Sequence, residues 1–275
     1  MDGGQVRNIR RQAEAIIEEA SFDQAPARIS TLLHRLIRST SGVDPYRRVK
    51  KEYNRIALDM LPSARSMAEA SRSSSLADGL LEGGVRAAIA GNVIDFGIYD
   101  TVDLGRALDK SFRFPLAGSS FQDFSLAVSR AARILYLCDN AGEIVFDRIL
   151  LDVLRAMGKR VVAAVKGVPV INDATIADAE EAGLRESADE VIDNGNDGIG
   201  TLLELCSNHF LEVYRSADII ISKGQANFET LAPARDDRIH HLFMVKCPVV
   251  ATELGRHEGD IVLIDNGQLH AAVSG

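Results

Sequence analysis

No part of the chain approaches the run of about 18 apolar residues that a membrane-spanning helix needs. The opening MDGGQVRNIRRQAEA also lacks the apolar core of a secretory leader. A soluble, cytoplasmic protein is therefore expected. Cysteine is sparse: Cys138, Cys206 and Cys247 stand far apart, each in or beside an apolar segment, and no CxxC spacing occurs. Neither a zinc site nor a disulfide framework has support in such a pattern, and isolated thiols of this kind are usually buried and inert. Basic charge is short as well, since 31 Lys and Arg face 39 Asp and Glu for a formal net charge of -8 and a pI near 5.3. That balance disfavours a nucleic-acid partner, whose phosphates are bound by clustered cations. The one basic stretch, YRRVKK at 46–51, is expected to form the solvated face of a helix.

Several catalytic signatures are missing too. There is no GxxxxGK[ST] loop and no GxGxxG after a strand, so triphosphate and dinucleotide binding lack their usual signals. A GxSxG elbow is absent, and the six histidines fall without a spacing such as HExxH, which disfavours serine-hydrolase and zinc-protease chemistry. His240 and His241 fall in a strand-like run, where packing is the simpler reading.

What is present is an ordinary globular composition, with 46% hydrophobic and 25% charged residues in 275. The length allows one large domain or a domain with a smaller companion. Character changes near residue 130. Before it, helical periodicity runs through 5–20, 27–38, 45–71 and 75–90, with the Ser-rich piece 71–75 as a helix boundary, and this predicts an α-helical domain over 1–128. After it, β-rich runs at 134–138, 160–165, 190–193, 218–221, 240–245 and 260–264 alternate with amphipathic helices. Repeated strand-helix-strand units predict an α/β domain over 129–275, with a mostly parallel sheet and helices on both faces. Ligands in such sheets sit beyond the carboxyl ends of the strands.

The residues at those ends are polar. The first strand leads into Cys138-Asp139-Asn140-Ala141-Gly142-Glu143, and the second into a segment that ends Ile171-Asn172-Asp173-Ala174-Thr175. Asp139, Asn140 and Asp173 offer oxygen ligands, which hard cations such as Mg²⁺ and Mn²⁺ prefer. Each is also well suited to cap the helix that follows it. After the strand at 218–221 comes Ser222-Lys223-Gly224-Gln225-Ala226-Asn227, where Lys223 at a helix start can meet a phosphate. Two further segments are weaker candidates, AGNVIDFG at 90–97 with Asn92 and Asp95, and DNGNDGIGT at 193–201.

Taken together, AGNVIDFG at 90–97, CDNAGEIVFD at 138–147, INDAT at 171–175, DNGNDGIGT at 193–201, ISKGQANFETL at 221–231 and KCPVVA at 246–251 resemble the damage-control phosphatase family, formerly a domain of unknown function. The resemblance implies a helical N-terminal domain on a Rossmann-like sheet, and metal-dependent hydrolysis of phosphometabolites. It implies that Asp139, Asn140 and Asp173 hold the metal while Glu143, Lys223 and Asn227 face the substrate. Small microbial relatives often begin with a CxxC ahead of a segment like Arg11-Gln12-Ala13. No cysteine stands there in this chain, so no role of those cysteines carries over.

The expected activity is hydrolysis of small phosphate monoesters with Mn²⁺, Mg²⁺, Co²⁺ or Ni²⁺ as cofactor. Asp139, Glu143 and Lys223 are the expected catalytic groups, and Asn92, Asp95, Glu143, Lys223 and Asn227 the expected substrate-binding set. The expected partner is a small phosphate ester, with no nucleic acid or membrane. An aspartyl-phosphate intermediate on Asp139 ranks second to direct attack by water, because a carboxylate committed to metal is a poor nucleophile. The rivals are an S-adenosylmethionine-dependent methyltransferase, for which the repeated glycines of a cofactor loop are missing, and a non-catalytic metabolite-binding protein.

Overall fold

The computed structural model describes residues 3–20, 26–70, 76–93, 111–113, 116–118 and 121–273. Four helices lead the chain: α1 (Gly3–Glu18), α2 (Pro26–Ser41), α3 (Arg47–Glu69) and α4 (Leu76–Val93). The boundary expected at 71–75 lies outside the described residues. Then follow β1 (Ala117–Gly118), α5 (Phe121–Arg130), β2 (Arg133–Leu137), α6 (Glu143–Ala156), β3 (Arg160–Val165), α7 (Ile176–Glu181), α8 (Leu184–Ser187) and β4 (Glu190–Asp193). The remainder is α9 (Asn208–Ser216), β5 (Ile219–Lys223), α10 (Gln225–Leu231), β6 (Ile239–Met244), α11 (Pro248–Leu254), β7 (Ile261–Asp265) and α12 (Asn266–Val273). Among the described residues, no helix is long and apolar enough to cross a membrane.

The described strands form one sheet in the order β1-β7-β6-β5-β2-β3-β4. Strands β2 to β6 run parallel, while β7 is antiparallel to β6 and carries β1 parallel to itself. From β2 the chain steps outward through β3 to β4, then returns to lay β5 on the other side of β2. This reversal makes a topological switch point at the carboxyl ends of β2 and β5, the place where ligands bind in open α/β sheets. Register brings the ends level, with Leu137 opposite both Ala164 and Ser222.

Strand alternation explains the two-sided burial. Ile134 and Tyr136 of β2 enter one core with residues of α3, α4 and α6, while Leu135 and Leu137 enter another with Phe210, Tyr214 and Leu231. Helix α4 is apolar nearly all round, with Leu81, Val85, Ala87, Ala88, Ile89 and Ala90 fully buried, so it forms an internal layer rather than a surface helix. At its end Gly91 permits close contact with α6, since a Cβ there would stand 3.2 Å from Glu143 Cα. The helical half and the sheet thus share a core, and the sheet draws β1 from residues ahead of 129. Solvation of the basic stretch holds for Arg47, Arg48 and Lys51, but Lys50 points inward and is 2% exposed, because it has two carboxylate partners there. Both histidines of β6 are buried, in keeping with a packing role, and His241 is bonded to Ser222 and Asn266.

Candidate active site

Asp139 and Asn140 follow β2 after Cys138, and Asp173 lies in the segment that follows β3. The two segments are bound to each other: Asn140 and Asp173 form an antiparallel bridge, Ala141 N donates to Asn172 O (2.9 Å), and Ala174 N donates to Asp139 O (2.8 Å). All three residues expected to hold a metal therefore share one edge. Asp139 is 6% exposed, Asp173 is 4% exposed and Asn140 is half-buried. Gly224 begins the segment after β5 with φ 80°, and a Cβ there would overlap the Asp139 carboxylate. The glycine leaves the space that the carboxylate fills.

Beneath this edge lies a closed polar network. Lys223 Nζ donates to Glu143 Oε1 (2.6 Å), Asp147 Oδ1 (2.7 Å) and Ala88 O (2.9 Å), which uses the three donors of an ammonium group. Tyr136 OH donates to the same Asp147 oxygen (2.7 Å). Asn92 Nδ2 donates to Asp139 Oδ2 (3.2 Å) and Glu143 Oε2 (3.0 Å), while its Oδ1 accepts from Met244 N (3.1 Å). Asn140 Nδ2 reaches the same pair, Asp139 Oδ2 at 2.9 Å and Glu143 Oε2 at 3.4 Å. To act as an oxygen ligand, Asn140 would turn its Oδ1 inward. Asn227 Nδ2 donates to Cys138 O (3.2 Å) and Lys223 O (2.7 Å), and its Oδ1 accepts from Thr201 Oγ1 (2.7 Å).

This arrangement revises the expected substrate set. Asn92, Glu143, Lys223 and Asn227 are all buried, and their polar atoms are engaged with protein groups. Lys223 in particular does not point a free ammonium at the cleft, because two carboxylates and a carbonyl hold it inside. These residues form the floor of the site rather than its contact surface. Asp95 lies outside the described residues. The loop at 193–201 makes ordinary turn contacts, with Asn194 Oδ1 accepting from Asn196 N (2.9 Å) and Gly167 N (3.2 Å).

Lysines that the sequence reading passed over also converge here. Lys166 follows β3 and is buried, with Nζ 3.4 Å from Asp173 Oδ2 and bonded to Gly200 O. Lys246 is half-buried, and its charge acts on Asp139. A lysine immediately after an apolar strand was the available signal for Lys166, as it was for Lys223. Asp147 was also legible, one helical turn beyond Glu143 on α6.

Electrostatics divides the carboxylates. Burial pushes Asp139 well above the usual carboxylate range, and Glu143 and Asp173 push it further, against the pull of Lys246 and Lys166. Burial likewise raises Asp173, with Lys166 opposing. Asp147 is raised by burial to about 6 although Lys223 draws it down. Burial lowers Lys223, but Asp147 and Glu143 outweigh it and hold the lysine above its ordinary value. Among the described residues, no three His, Cys, Asp or Glu side chains form a metal cluster by themselves. Two carboxylates with an amide nonetheless suit a hard cation, which keeps several waters. Asp173 Oδ2 is buried without a hydrogen bond, and positive charge beside the Asp139–Asp173 pair would favour both ionised forms. The donor set therefore fits a divalent metal.

Comparison with known proteins bears on the family of the chain. Residues 3–262 match the damage-control phosphatase ARMT1-like domain. An uncharacterized protein of Methanocaldococcus jannaschii is 40% identical over 272 residues, which cover 94% of this chain and 86% of that protein. A damage-control phosphatase of Archaeoglobus fulgidus is 32% identical over 90% of this chain and 85% of its own length. A damage-control phosphatase of Pyrococcus horikoshii is 42% identical over 66% of this chain and 64% of its own length. The crystal structure of a DUF89 family protein from Pyrococcus horikoshii superposes with a TM-score of 0.81 at 33% identity, covering 97% of this chain and 91% of that one. With a domain match over nearly its whole length and the same fold as a solved relative, this chain belongs to the damage-control phosphatase ARMT1-like domain family.

Proposed function

We propose that the protein is a divalent-metal-dependent phosphatase that hydrolyses small phosphate monoesters, such as sugar phosphates or damaged phosphometabolites, in the crevice beyond β2, β3 and β5. The observation that carries this reading is the Asp139–Asp173 pair. Two buried carboxylates stand on adjacent, bridged strand-end segments, where burial raises the proton affinity of both and Asp173 adds to that of Asp139; Asp173 Oδ2 has no hydrogen bond, with Lys166 Nζ 3.4 Å away. Curated relatives from Pyrococcus horikoshii and Archaeoglobus fulgidus carry the name damage-control phosphatase, which supports the reaction class.

In this reading Asp139, Asn140 and Asp173 hold the cation, with Mn²⁺, Mg²⁺, Co²⁺ and Ni²⁺ as the ions to test. A bound divalent cation supplies Lewis-acid neutralisation of phosphoryl charge at this edge. Asn92 orients Asp139 and Glu143 by donating to both, and Lys223 fixes the far side of Glu143. Positive charge toward the phosphate comes from Lys246, which is half-buried and already acts on Asp139. A lysine there meets phosphate as a point charge, and preorganised charge stabilises the phosphoryl-transfer transition state without covalent chemistry. The partner is a cytoplasmic small molecule rather than nucleic acid, in line with the net charge of -8.

The test is phosphate release from p-nitrophenyl phosphate and a panel of sugar phosphates, measured after chelation and again with each divalent ion restored singly. Turnover should vanish on chelation and return with at least one ion. Turnover that ignores chelation would falsify the metal assignment, and an absence of phosphate release with every ion and ester would leave a binding protein.

A further inference from the structure

One turn of α3 reaches from the helical half into both segments that carry Asp139 and Asp173. Lys50 and Asn54 stand four residues apart, on one face of the helix, and each is 2% exposed. Asn54 Oδ1 accepts from Gly142 N at 2.7 Å, and its Nδ2 lies 3.4 Å from Asp178 O. Gly142 is the N-cap of α6, three residues after Asp139, and it has no side chain of its own to offer there. Contact is tight, because a Cβ on Gly142 would stand 3.0 Å from Tyr53 Cβ.

The second segment is held through Asp178. Lys50 Nζ pairs with Asp178 Oδ2 at 2.7 Å and Asp44 Oδ2 at 3.0 Å. The same Asp178 oxygen accepts from Thr175 N (2.9 Å) and Thr175 Oγ1 (2.6 Å), completing a capping box at the start of α7. Thr175 lies two residues after Asp173. One polar face of α3 therefore fixes the Asp139 segment through Gly142 and the Asp173 segment through Asp178, while the two segments bridge directly to each other.

We infer that Asn54 and Lys50 are positioning residues that set the separation of Asp139 and Asp173, and through it the affinity of the site for its divalent cation. This inference rests on the reading of Asp139, Asn140 and Asp173 as the metal ligands. The hydrogen bonds of the two α3 residues go to Gly142 and Asp178 rather than to those side chains, as outer hydrogen bonds tune metal ligands elsewhere, and the Lys50 charge also acts on Asp173.

The test titrates Mn²⁺ into the metal-free wild type and Asn54→Ala by calorimetry, and follows p-nitrophenyl phosphate turnover against Mn²⁺ concentration. Asn54→Ala should bind Mn²⁺ about 10- to 100-fold more weakly and raise the half-activating concentration by the same factor, with much of the turnover recovered at saturating metal. Arg65→Ala is the control: it removes the α3–α6 ion pair to Asp152, away from both segments, and should leave Mn²⁺ affinity at the wild-type value. Lys50→Met strands buried Asp178 and half-buried Asp44, so Lys50→Arg accompanies it, and the arginine should retain affinity that methionine loses. Unchanged Mn²⁺ affinity in folded Asn54→Ala overturns the inference alone. So does equal loss in Asn54→Ala and Arg65→Ala in step with their unfolding temperatures, which would mean general loosening. A wild type that binds no Mn²⁺ and turns over after chelation overturns the metal reading itself and removes the basis of the inference.

Discussion

The floor and the mouth of the site are built from the same residue types and behave in opposite ways. In the floor, Lys223 sits between Glu143 and Asp147, with Asn92 and Asn227 bonded around it. At the mouth, Asp139 and Asp173 lie on bridged segments with Lys166 3.4 Å from Asp173 and the Lys246 charge acting on Asp139, and Asp173 Oδ2 makes no hydrogen bond. A buried ion pair with its donors used holds a geometry, whereas buried carboxylates whose proton affinity stays raised despite nearby lysines keep an affinity for a cation. The difference separates residues that shape the site from residues that bind.

Breaking the floor should cost the fold most. Lys223→Met leaves Glu143 and Asp147 buried without their cation and should lower unfolding free energy by about 3–5 kcal/mol, read from urea denaturation. A stable, fully folded Lys223→Met would mean that the network contributes little to the fold. Breaking the mouth should do the reverse. Asp139→Asn or Asp173→Asn should cut metal-dependent turnover about 100-fold or more while the metal-free protein unfolds no earlier than wild type, because a carboxylate held above its ordinary pKa is destabilising when ionised.

A smaller effect sharpens the comparison by pH. In the folded protein Asp147 titrates near 6, above the ordinary carboxylate value near 4. Between these values the folded state holds a proton that the unfolded chain releases, so the Asp147 share of stability is full below about 4 and is lost as pH rises to about 6. Urea midpoints for wild type and Asp147→Asn across that window should diverge, with the wild type falling more steeply as pH rises. Parallel curves would place the titration elsewhere. The smallest change is expected at the rim. Lys246→Ala should raise KM for a phosphate ester about tenfold, equivalent to about 1.4 kcal/mol, and alter stability by less than about 0.5 kcal/mol. An unchanged KM would remove Lys246 from the phosphate.

Much of the sheet was legible from local pattern. The expected runs at 134–138, 160–165 and 190–193 lie within one or two residues of β2, β3 and β4. Apolar strands buried on both faces, separated by amphipathic helices, leave few alternatives. The two-residue β1 was not foreseen, since so short an edge strand has no periodicity to read. Nor was the antiparallel course of β7, because its own residues look like those of any buried strand.

For the site, the sequence by itself determined which chemistry arrives at the strand ends. Asp139, Asn140, Asp173 and Lys223 each end an apolar run, and a parallel sheet delivers such ends to one edge. Only the tertiary structure decided that Lys223 is locked inside the protein. Lys223 turns inward because Asp147, a turn beyond Glu143 on α6, and Ala88 on α4 supply acceptors that no local window reveals. Lys50 and Asn54 are equally hidden in sequence, more than 80 residues before the segments they hold, because hydrogen-bond partnership across a fold depends on packing rather than on spacing along the chain.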